Sequence, residues 1–328
     1  MPISIEELKQ LANQQLEISN QFRKELSIMP HKINGNFIAF LGRQFDPVYK
    51  WNMSLKPLWG GFYIKYNNLE LMVDPGINTL ERAQRVGINL SKTNTLFISH
   101  AHIDHKNDAN LVSEMVAYRE NADLRILMSQ ESINEKVMSH FHLSSNNNKD
   151  GKNLVILDSF KEIDLGDGIK LKPIEVFHSI GGSFGFVLDL GKIRIGYTAD
   201  TGFYDTYKTL NGEYSVRDIK NKKEIDAPGA FNADLINAFK SVDVLVFNLH
   251  GIDFKKNSVH NLYHSTMTGA IEVLSDSAIK LCVFDHFNPY GCLGPSYPEK
   301  VNEFIKQSTN KNTKLVGLNG LVVDLDKI

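Results

Sequence analysis

Hydrophobic and polar positions follow a helical period over the first 26 residues of this chain and break into short strand-like runs from residue 36 onward. Ile5, Leu8, Leu11, Phe22 and Leu26 fall near helical spacing over residues 4–26, and Ser4 with Glu7 makes a capping box. This predicts an amphipathic helix ahead of the main domain, serving as a packing or dimer contact. Strands are then predicted at 36–41, ended by Gly42, and at 61–66 and 69–73, joined as a hairpin through Asn67-Asn68. A buried strand at 95–99 precedes a helix over 109–118. An alternating run at 169–177 follows Gly166-Asp167-Gly168, and 186–190 and 192–197 flank Gly191 as a second hairpin. Continuous apolar strands are expected at 242–247 and 281–284, with a helix over 267–274 between them. Pro298 can open a last helix with Val301, Phe304 and Ile305 on one face. Runs at 315–318 and 321–323 are expected to turn through Asn319-Gly320.

Strands and helices mix throughout, with several hairpins. That favours sheets covered by helices over a purely parallel, doubly wound sheet. Residues 203–231 are polar and charged, with Lys-Asn-Lys-Lys at 220–223, and predict a surface insertion that is either a lid or inert. The chain thus divides into an N-terminal helical extension, 1–33, and a main domain, 34–328.

Composition narrows the classes. With 328 residues and 42% hydrophobic content, the chain can build one large domain or two small ones. A net charge of −2 gives no broad basic surface for tracking nucleic acid. Two cysteines, Cys282 and Cys292, are too few for a disulfide framework or a cysteine-only zinc site. Residues 1–24 are polar and charged rather than a basic stretch followed by an apolar core, unlike a secretory signal, and no apolar run approaches roughly 18 residues, so no membrane span is expected. A soluble, cytoplasmic protein is the expectation.

The candidate chemistry concentrates in Ser99-His100-Ala101-His102-Ile103-Asp104-His105, directly after a predicted buried strand. Strand periodicity puts His100 and His102 on one side. Asp104 and His105 follow where the chain must turn, so they can address a second point. One loop could in this way supply two ligands to each of two ions. Imidazole and carboxylate together suit Zn²⁺, Mn²⁺ or Fe²⁺.

This His-x-His-x-Asp-His run resembles the signature of the metallo-β-lactamase superfamily, and similar motifs follow in order across the chain. Leu71-Met72-Val73-Asp74-Pro75-Gly76 resembles the first motif, Val176-Phe177-His178-Ser179 the third, Gly196-Tyr197-Thr198-Ala199-Asp200-Thr201-Gly202 the fourth, and Cys282-Val283-Phe284-Asp285-His286-Phe287 the last. The resemblance implies an αββα sandwich of two mixed sheets flanked by helices. It implies two Zn²⁺, with Mn²⁺ or Fe²⁺ as alternatives. His100, His102, His178 and Asp200 would hold the first ion; Asp104, His105, Asp200 and His286 would hold the second. Asp74 would orient a ligand histidine from behind. His250, His260 and Asp243 are rivals for single positions; His250 also ends a predicted strand and can line the pocket without binding metal.

Departures from other branches narrow the reading. His102 stands where di-iron flavoproteins carry glutamate, and Asp200 stands where common β-lactam hydrolases carry cysteine. The segment Gly181-Gly182-Ser183-Phe184-Gly185-Phe186 after His178 is similar to that of ribonuclease Z and its phosphodiesterase relatives. So is His264-Ser265-Thr266, where a histidine heading a helix assists at the scissile phosphate; the competing reading is that Ser265 or Thr266 simply caps the helix. Only 22 positions separate His178 from Asp200, which leaves no room for a tRNA-gripping arm and argues against tRNA. The expected function is metal-assisted hydrolysis of a small phosphodiester, such as a cyclic nucleotide or a short oligonucleotide, by a water shared between ions bridged by Asp200. Asp104 would orient the attacking oxygen and His264 would help the leaving group. A lactonase or other carboxylic-ester hydrolase on the same site, and a non-catalytic metal-binding module, are the competing functions. A homodimer through the N-terminal helix is open.

Overall fold

The computed structural model describes residues 5–28, 30–41, 61–119, 122–144, 153–209, 211–219, 225–251, 260–286, 297–316 and 320–328. Ser4, the lysine-rich run at 220–223, Phe287, Cys292 and Asn319 lie outside the described residues. The strands are β1 (Phe37–Phe40), β2 (Phe62–Tyr66), β3 (Leu69–Val73), β4 (Thr95–Phe97), β5 (Arg125–Met128), β6 (Leu154–Ile156), β7 (Ile163–Gly166), β8 (Ile169–Glu175), β9 (Phe184–Asp189), β10 (Arg194–Tyr197), β11 (Thr206–Thr209), β12 (Gly212–Ser215), β13 (Ile225–Pro228), β14 (Val244–Gly251), β15 (Ser265–Thr266), β16 (Leu281–Asp285), β17 (Asn312–Leu315) and β18 (Leu321–Asp324). The helices are α1 (Ile5–Ile28), α2 (Thr79–Val86), α3 (Ile103–Lys106), α4 (Ala109–Ala117), α5 (Gln130–Asn134), α6 (His140–Ser144), α7 (Ala233–Lys240), α8 (His260–Tyr263), α9 (Met267–Leu274) and α10 (Tyr297–Thr309).

Two mixed sheets form the body. The first runs β18-β1-β2-β3-β4-β5-β6 and the second β17-β16-β14-β10-β9-β8-β7, with β15 paired to β14. The period-two pattern of the sequence becomes two faces. In the first sheet Ile38, Phe40, Phe62, Ile64, Leu71, Val73, Phe97 and Leu127 face the core between the sheets. Their neighbours Phe37, Ala39, Tyr63, Met72, Leu96, Ile126 and Met128 face outward, under Ala83 of α2 and Ala109, Val112 and Val116 of α4. Being apolar on both faces is what a sheet covered by helices requires. Phe97 and Phe186 meet edge to face across the sandwich with centroids 4.9 Å apart, and Phe62 meets Tyr197 at 5.1 Å. On the second sheet's outer side, α7 contributes Leu235, Ile236 and Phe239, α9 contributes Met267, Ala270 and Val273, and α10 contributes Val301 and Ile305. The αββα layering expected from the sequence is therefore present.

Three local expectations need correction. Residues 312–315 and 321–324 do not form a hairpin: β17 pairs in parallel with β16 in the second sheet, whereas β18 pairs antiparallel with β1 in the first. The expected turn at Asn319-Gly320 falls partly outside the described residues, and the strands on either side of it belong to different sheets. Phe304 is exposed while Val301 and Ile305 are buried, so the packed face of α10 is narrower than its apolar pattern. In α1 the side chains of Ile5 and Leu11 are exposed, and those of Leu8, Phe22 and Leu26 lie outside the described residues. Finally, the 203–231 segment is more than a polar excursion. It contains a three-stranded sheet, β12-β11-β13, whose Tyr204, Tyr207, Val216 and Ile225 bury one face against Leu262 and Tyr263.

All strands that carry site residues point their carboxyl ends the same way within each sheet: β3, β4 and β5 are parallel, as are β10, β14 and β16. The two sets of carboxyl ends meet at one edge of the sandwich. Loops at the carboxyl ends of parallel strands are where open α/β sheets collect function.

Candidate metal centre

The loop after β4 delivers four of the predicted residues. His100 follows the strand directly, His102 is the N-cap of α3, and Asp104 and His105 lie in its single turn. His178 follows β8, Asp200 follows β10, His264 precedes β15, and His286 follows β16 in a left-handed backbone conformation, φ 59°. The structure brings all of these side chains into one cluster.

The cluster has two lobes. His102 Nδ1 stands 3.1 Å from His100 Nε2 and 3.0 Å from His178 Nε2. In the other lobe His105 Nε2 stands 3.1 Å from His286 Nε2, and Asp104 Oδ2 lies 3.5 Å from His286 Nε2 and 3.8 Å from His105 Nε2. Asp200 Oδ2 lies between the lobes, 3.4 Å from His105 Nε2, 3.2 Å from His286 Nε2 and 3.9 Å from His178 Nε2. The groups His100/His102/His178 and Asp104/His105/His286 each place their nearest donor atoms within 4.8 Å of one another, and so does His178/Asp200/His264.

The outer hydrogen bonds decide which nitrogens carry protons. His178 Nδ1 is 2.9 Å from the Tyr263 carbonyl, an acceptor only, so Nδ1 donates and Nε2 presents a lone pair inward. His105 Nδ1 is 2.9 Å from Asp74 Oδ2, and the same reasoning bares its Nε2. Ser99 Oγ gives its proton to Asp74 Oδ2 at 2.7 Å and can therefore accept from His100 Nδ1 at 2.9 Å, which bares His100 Nε2. The nitrogens of His100 and His178 bared in this way both face His102 Nδ1, and His105 Nε2 faces His286 Nε2, so that each set could coordinate a cation at roughly 2 Å.

Asp74 is the anchor behind this arrangement. It is buried and accepts from Ser99 N at 2.7 Å, Ser99 Oγ at 2.7 Å, His105 Nδ1 at 2.9 Å and Tyr197 Oη at 2.5 Å. It touches none of the inward-facing donor positions.

Electrostatics fits the same assignment. Burial pushes His100 well below the usual histidine range, and its neighbours His105 and His178 push it further. Burial likewise brings His178 down to about 3, against the pull of Asp200, so it is neutral at any ordinary pH. His102 is also lowered, chiefly by burial. Burial would raise Asp200 and Asp104, but facing histidines hold Asp200 well below the carboxylate range and Asp104 at about 2. His105 alone is raised: burial opposes its charge, but Asp200 and Asp104 outweigh burial. Among the described residues, the ion-pair partners of Asp104 and Asp200 are all histidines. Two buried carboxylates thus face a cluster in which His105 alone is pushed toward the charged form and His100, His102 and His178 are pushed toward the neutral one, and bound cations would provide the positive charge that is short.

His264 stands differently from the expectation. The N-cap of α9 is Thr266, so His264 lies two residues ahead of the N-cap, not at the head of the helix. Neither Ser265 nor Thr266 caps it through the side chain: Thr266 makes no capping bond and Ser265 Oγ donates to Thr201 O at 2.7 Å. What places His264 is the pairing of β15 with β14, which sets Ser265 beside Leu249. Its Nε2 is 3.5 Å from Asp200 Oδ2, and its side chain is 15% exposed against 2% for Asp200. His250, weighed as a rival ligand, packs its ring on His264 at 4.4 Å. Asp243 lies at the opposite end of β14, bonded to Arg194 N and Lys280, and is remote from the cluster. The side chain of His260 lies outside the described residues.

The His178–Asp200 interval is filled by the β9–β10 hairpin, Phe184–Asp189 to Arg194–Tyr197, and no arm projects from it. Gly182, at φ +66°, packs so tightly that a Cβ would stand 2.5 Å from Glu131 Oε2 and 2.6 Å from Ser129 Oγ. Gly182 therefore packs closely against the start of α5, whereas a Cβ at Gly181 would meet only an ordinary contact, 3.7 Å from Glu131 Cγ.

Residues 70–216 match the model of the Beta-lactamase superfamily domain. The fold closely parallels a metallo-beta-lactamase fold protein, YhfI, from Bacillus subtilis: TM-score 0.63 at 13% identity, covering 88% of this chain and 99% of that one. This chain has the metallo-β-lactamase fold. Two further solved structures share it. A diphosphatase of the PhnP family has TM-score 0.56 at 15% identity, covering 88% of this chain and 96% of that one. The short form of human tRNase Z has TM-score 0.55 at 15% identity, covering 88% and 98%. In sequence the chain is 28% identical over 249 residues to an uncharacterized protein of Methanocaldococcus jannaschii, covering 69% of this chain and 87% of that protein. It is 23% identical over 193 residues to a metal-dependent hydrolase of Thermoplasma acidophilum, covering 55% and 77%.

Two site residues escaped the sequence reading as functional groups, Tyr197 and Asn248. Both are buried and hydrogen-bonded at the cluster. Asn248 did leave a signal: it is a lone amide inside the apolar run Val244-Leu245-Val246-Phe247-Asn248-Leu249, and a buried polar group needs a partner.

Proposed function

We propose that this metallo-β-lactamase-fold chain is a dinuclear metal-dependent hydrolase, and specifically a phosphodiesterase for small phosphodiesters. His100, His102 and His178 would hold one ion; Asp104, His105 and His286 would hold the other; Asp200 would serve both. Zn²⁺ is the first choice for a set of imidazoles and carboxylates, with Mn²⁺ or Fe²⁺ as alternatives. The single observation that carries the reading is the position of Asp200 Oδ2, 3.2–3.9 Å from nitrogens of both lobes. One carboxylate oxygen shared between two convergent sets of lone pairs has no use in a structural core.

Bound ions would supply Lewis-acid charge and a water of lowered pKa. The chain's own residues do the rest. Asp74 fixes the ring of His105 by accepting from Nδ1, and the Tyr263 carbonyl fixes His178 in the same way. Asp104 keeps its charge and stays partly accessible, which suits it to orienting an attacking oxygen. His264, more open than the other cluster histidines of the second sheet, can hold a proton at Nε2 for a leaving alkoxide. The absence of any arm in the β9–β10 hairpin and the net charge of −2 favour a small ester, such as a cyclic nucleotide or short oligonucleotide, over tRNA. The diphosphatase and tRNase Z among the structural neighbours act at phosphorus, which supports that class by analogy of fold.

The test is a substrate panel on metal-loaded protein: bis-p-nitrophenyl phosphate and cyclic nucleotides beside lactones and carboxylic esters. Turnover of the phosphodiesters is expected. Turnover of lactones alone would transfer the site to ester chemistry.

A further inference from the structure

Behind Asp200 and Asp74 lies a chain of side chains that none of the proposed ligands explains. Tyr197 Oη stands 2.5 Å from Asp74 Oδ2 and 3.3 Å from Asn248 Nδ2, and Asn248 Nδ2 stands 2.8 Å from Asp200 Oδ1. The proton directions follow from the chemistry. Tyr197 has one proton, and Asp74 is an acceptor, so the hydroxyl donates to Asp74 and can only accept from Asn248. The Asn248 amide therefore faces two acceptors, and its NH₂ end supplies both, one hydrogen to Tyr197 Oη and one to Asp200 Oδ1. Every polarity in the chain is consistent, and both residues are buried.

The chain closes on itself. Asp74 Oδ2, which accepts from Tyr197, also accepts from His105 Nδ1, and His105 Nε2 lies 3.4 Å from Asp200 Oδ2. The circuit His105, Asp74, Tyr197, Asn248, Asp200 thus backs the side of the centre that holds His105. It also ties the two sheets together, because Asp74 follows β3 of the first sheet while Tyr197 and Asn248 belong to β10 and β14 of the second.

We infer that Tyr197 and Asn248 are positioning residues for the metal centre: they lock the Asp200 carboxylate so that Oδ1 is held from behind and Oδ2 alone faces both lobes. A carboxylate on a single Cβ–Cγ bond can rotate and offer either oxygen, or both to one ion. The Asn248 hydrogen bond removes that freedom, and Tyr197 fixes the amide that makes it. Burial, with Asp74 and Asp200 nearby, pushes the Tyr197 phenol well above its ordinary range, so it stays a donor at any working pH. The inference rests on the proposed metal binding and adds residues to it; it does not depend on which ester is cleaved.

The experiment compares wild type with the single variants Tyr197→Phe, Asn248→Leu and Asn248→Asp and with the double variant Tyr197→Phe/Asn248→Leu, whose two component singles complete the cycle. Affinity for Co²⁺ and Zn²⁺ is measured by competition with a chelating dye, and the visible spectrum of the Co²⁺ form reports ligand geometry. Loss of a partner behind a ligand costs roughly 10–100-fold in metal affinity, and each single variant is expected in that range, with a changed Co²⁺ spectrum. Asn248→Asp, which sets a second carboxylate against Asp200 Oδ1, is expected to be a weaker binder than Tyr197→Phe. Tyr197→Phe removes one oxygen and keeps the ring, so it is the variant that preserves the fold. The double variant should lose less than the two single losses combined, because both break one circuit. Wild-type affinity and an unchanged spectrum in Tyr197→Phe would overturn the inference. A wild-type chain that binds neither ion would overturn the metal reading beneath it, so the two failures are distinguishable.

Discussion

His264 Nε2 faces Asp200 Oδ2 at 3.5 Å, the same oxygen that His105, His178 and His286 surround, yet His264 is the more exposed of the second-sheet histidines in this cluster. That combination separates it from the proposed ligands. Replacing it with alanine should leave metal content unchanged and lower turnover of alkyl phosphodiesters by roughly two to four orders of magnitude, the range of a positioned acid. The loss should shrink for p-nitrophenolate esters, whose leaving group needs no proton. Elemental analysis beside paired substrate kinetics checks this. A His264→Ala protein that loses metal would make His264 a ligand, in the group it forms with His178 and Asp200.

Asp74 and Asp104 should part company under substitution. Asp74→Ala strands four buried donors, from Ser99 N, Ser99 Oγ, His105 and Tyr197. Each unsatisfied group costs roughly 1–3 kcal/mol, so a large fall in the melting temperature of the metal-free protein is expected. Asp104 is 18% exposed, and among the described residues its ion-pair partners are His105 and His286. Asp104→Ala should therefore weaken metal binding while lowering the apo melting temperature by clearly less than Asp74→Ala does, since it strands no hydrogen-bond donor of the buried anchor. Equal melting temperatures for the two variants would contradict the anchoring role of Asp74.

Gly202 marks where the segment after Asp200 passes against the turn that carries Tyr263 and His264. A Cβ there would collide with the Leu262 carbonyl. Gly202→Ala should displace the turn, lengthen the bond from His178 to the Tyr263 carbonyl and destabilise the protein by about 1–3 kcal/mol through overpacking. Thermal unfolding reads this directly; an unchanged melting temperature would show that the contact relaxes freely.

Much of the centre was legible because its residues are of rare types at strand ends. A histidine-rich loop after Thr95–Phe97 and an aspartate after Arg194–Tyr197 have few bland explanations, and the period-two alternation of β1 to β5 placed those ends on a common frame. What the sequence hid depends on pairing between distant segments. The Asn319-Gly320 signal marks a turn but cannot say that β18 joins β1, nearly three hundred residues earlier. The setting of His264 comes from the β14–β15 pairing, not from a helix cap. The fold of 203–231 comes from a few buried aromatics, Tyr204 and Tyr207 among them, diluted in a polar segment. Tyr197 and Asn248 look like ordinary strand residues until the two sheets bring Asp74 beside them.

Asp200→Ala removes the group shared by both lobes. Hydrolysis is expected to fall by several orders of magnitude, on the order of what loss of the metal activation itself costs. The fold should persist, since the sheets are held by the apolar layers between and outside them. Circular dichroism beside steady-state kinetics separates the two effects, and retained activity with full metal content would remove Asp200 from the centre.

The central claim is that the two lobes are two metal sites. The direct measurement is elemental analysis of wild-type protein stripped with chelator, reloaded with Zn²⁺ and freed of excess metal. The account predicts close to two ions per chain, one for each lobe around Asp200 Oδ2. One ion per chain, or none, after reloading would contradict it.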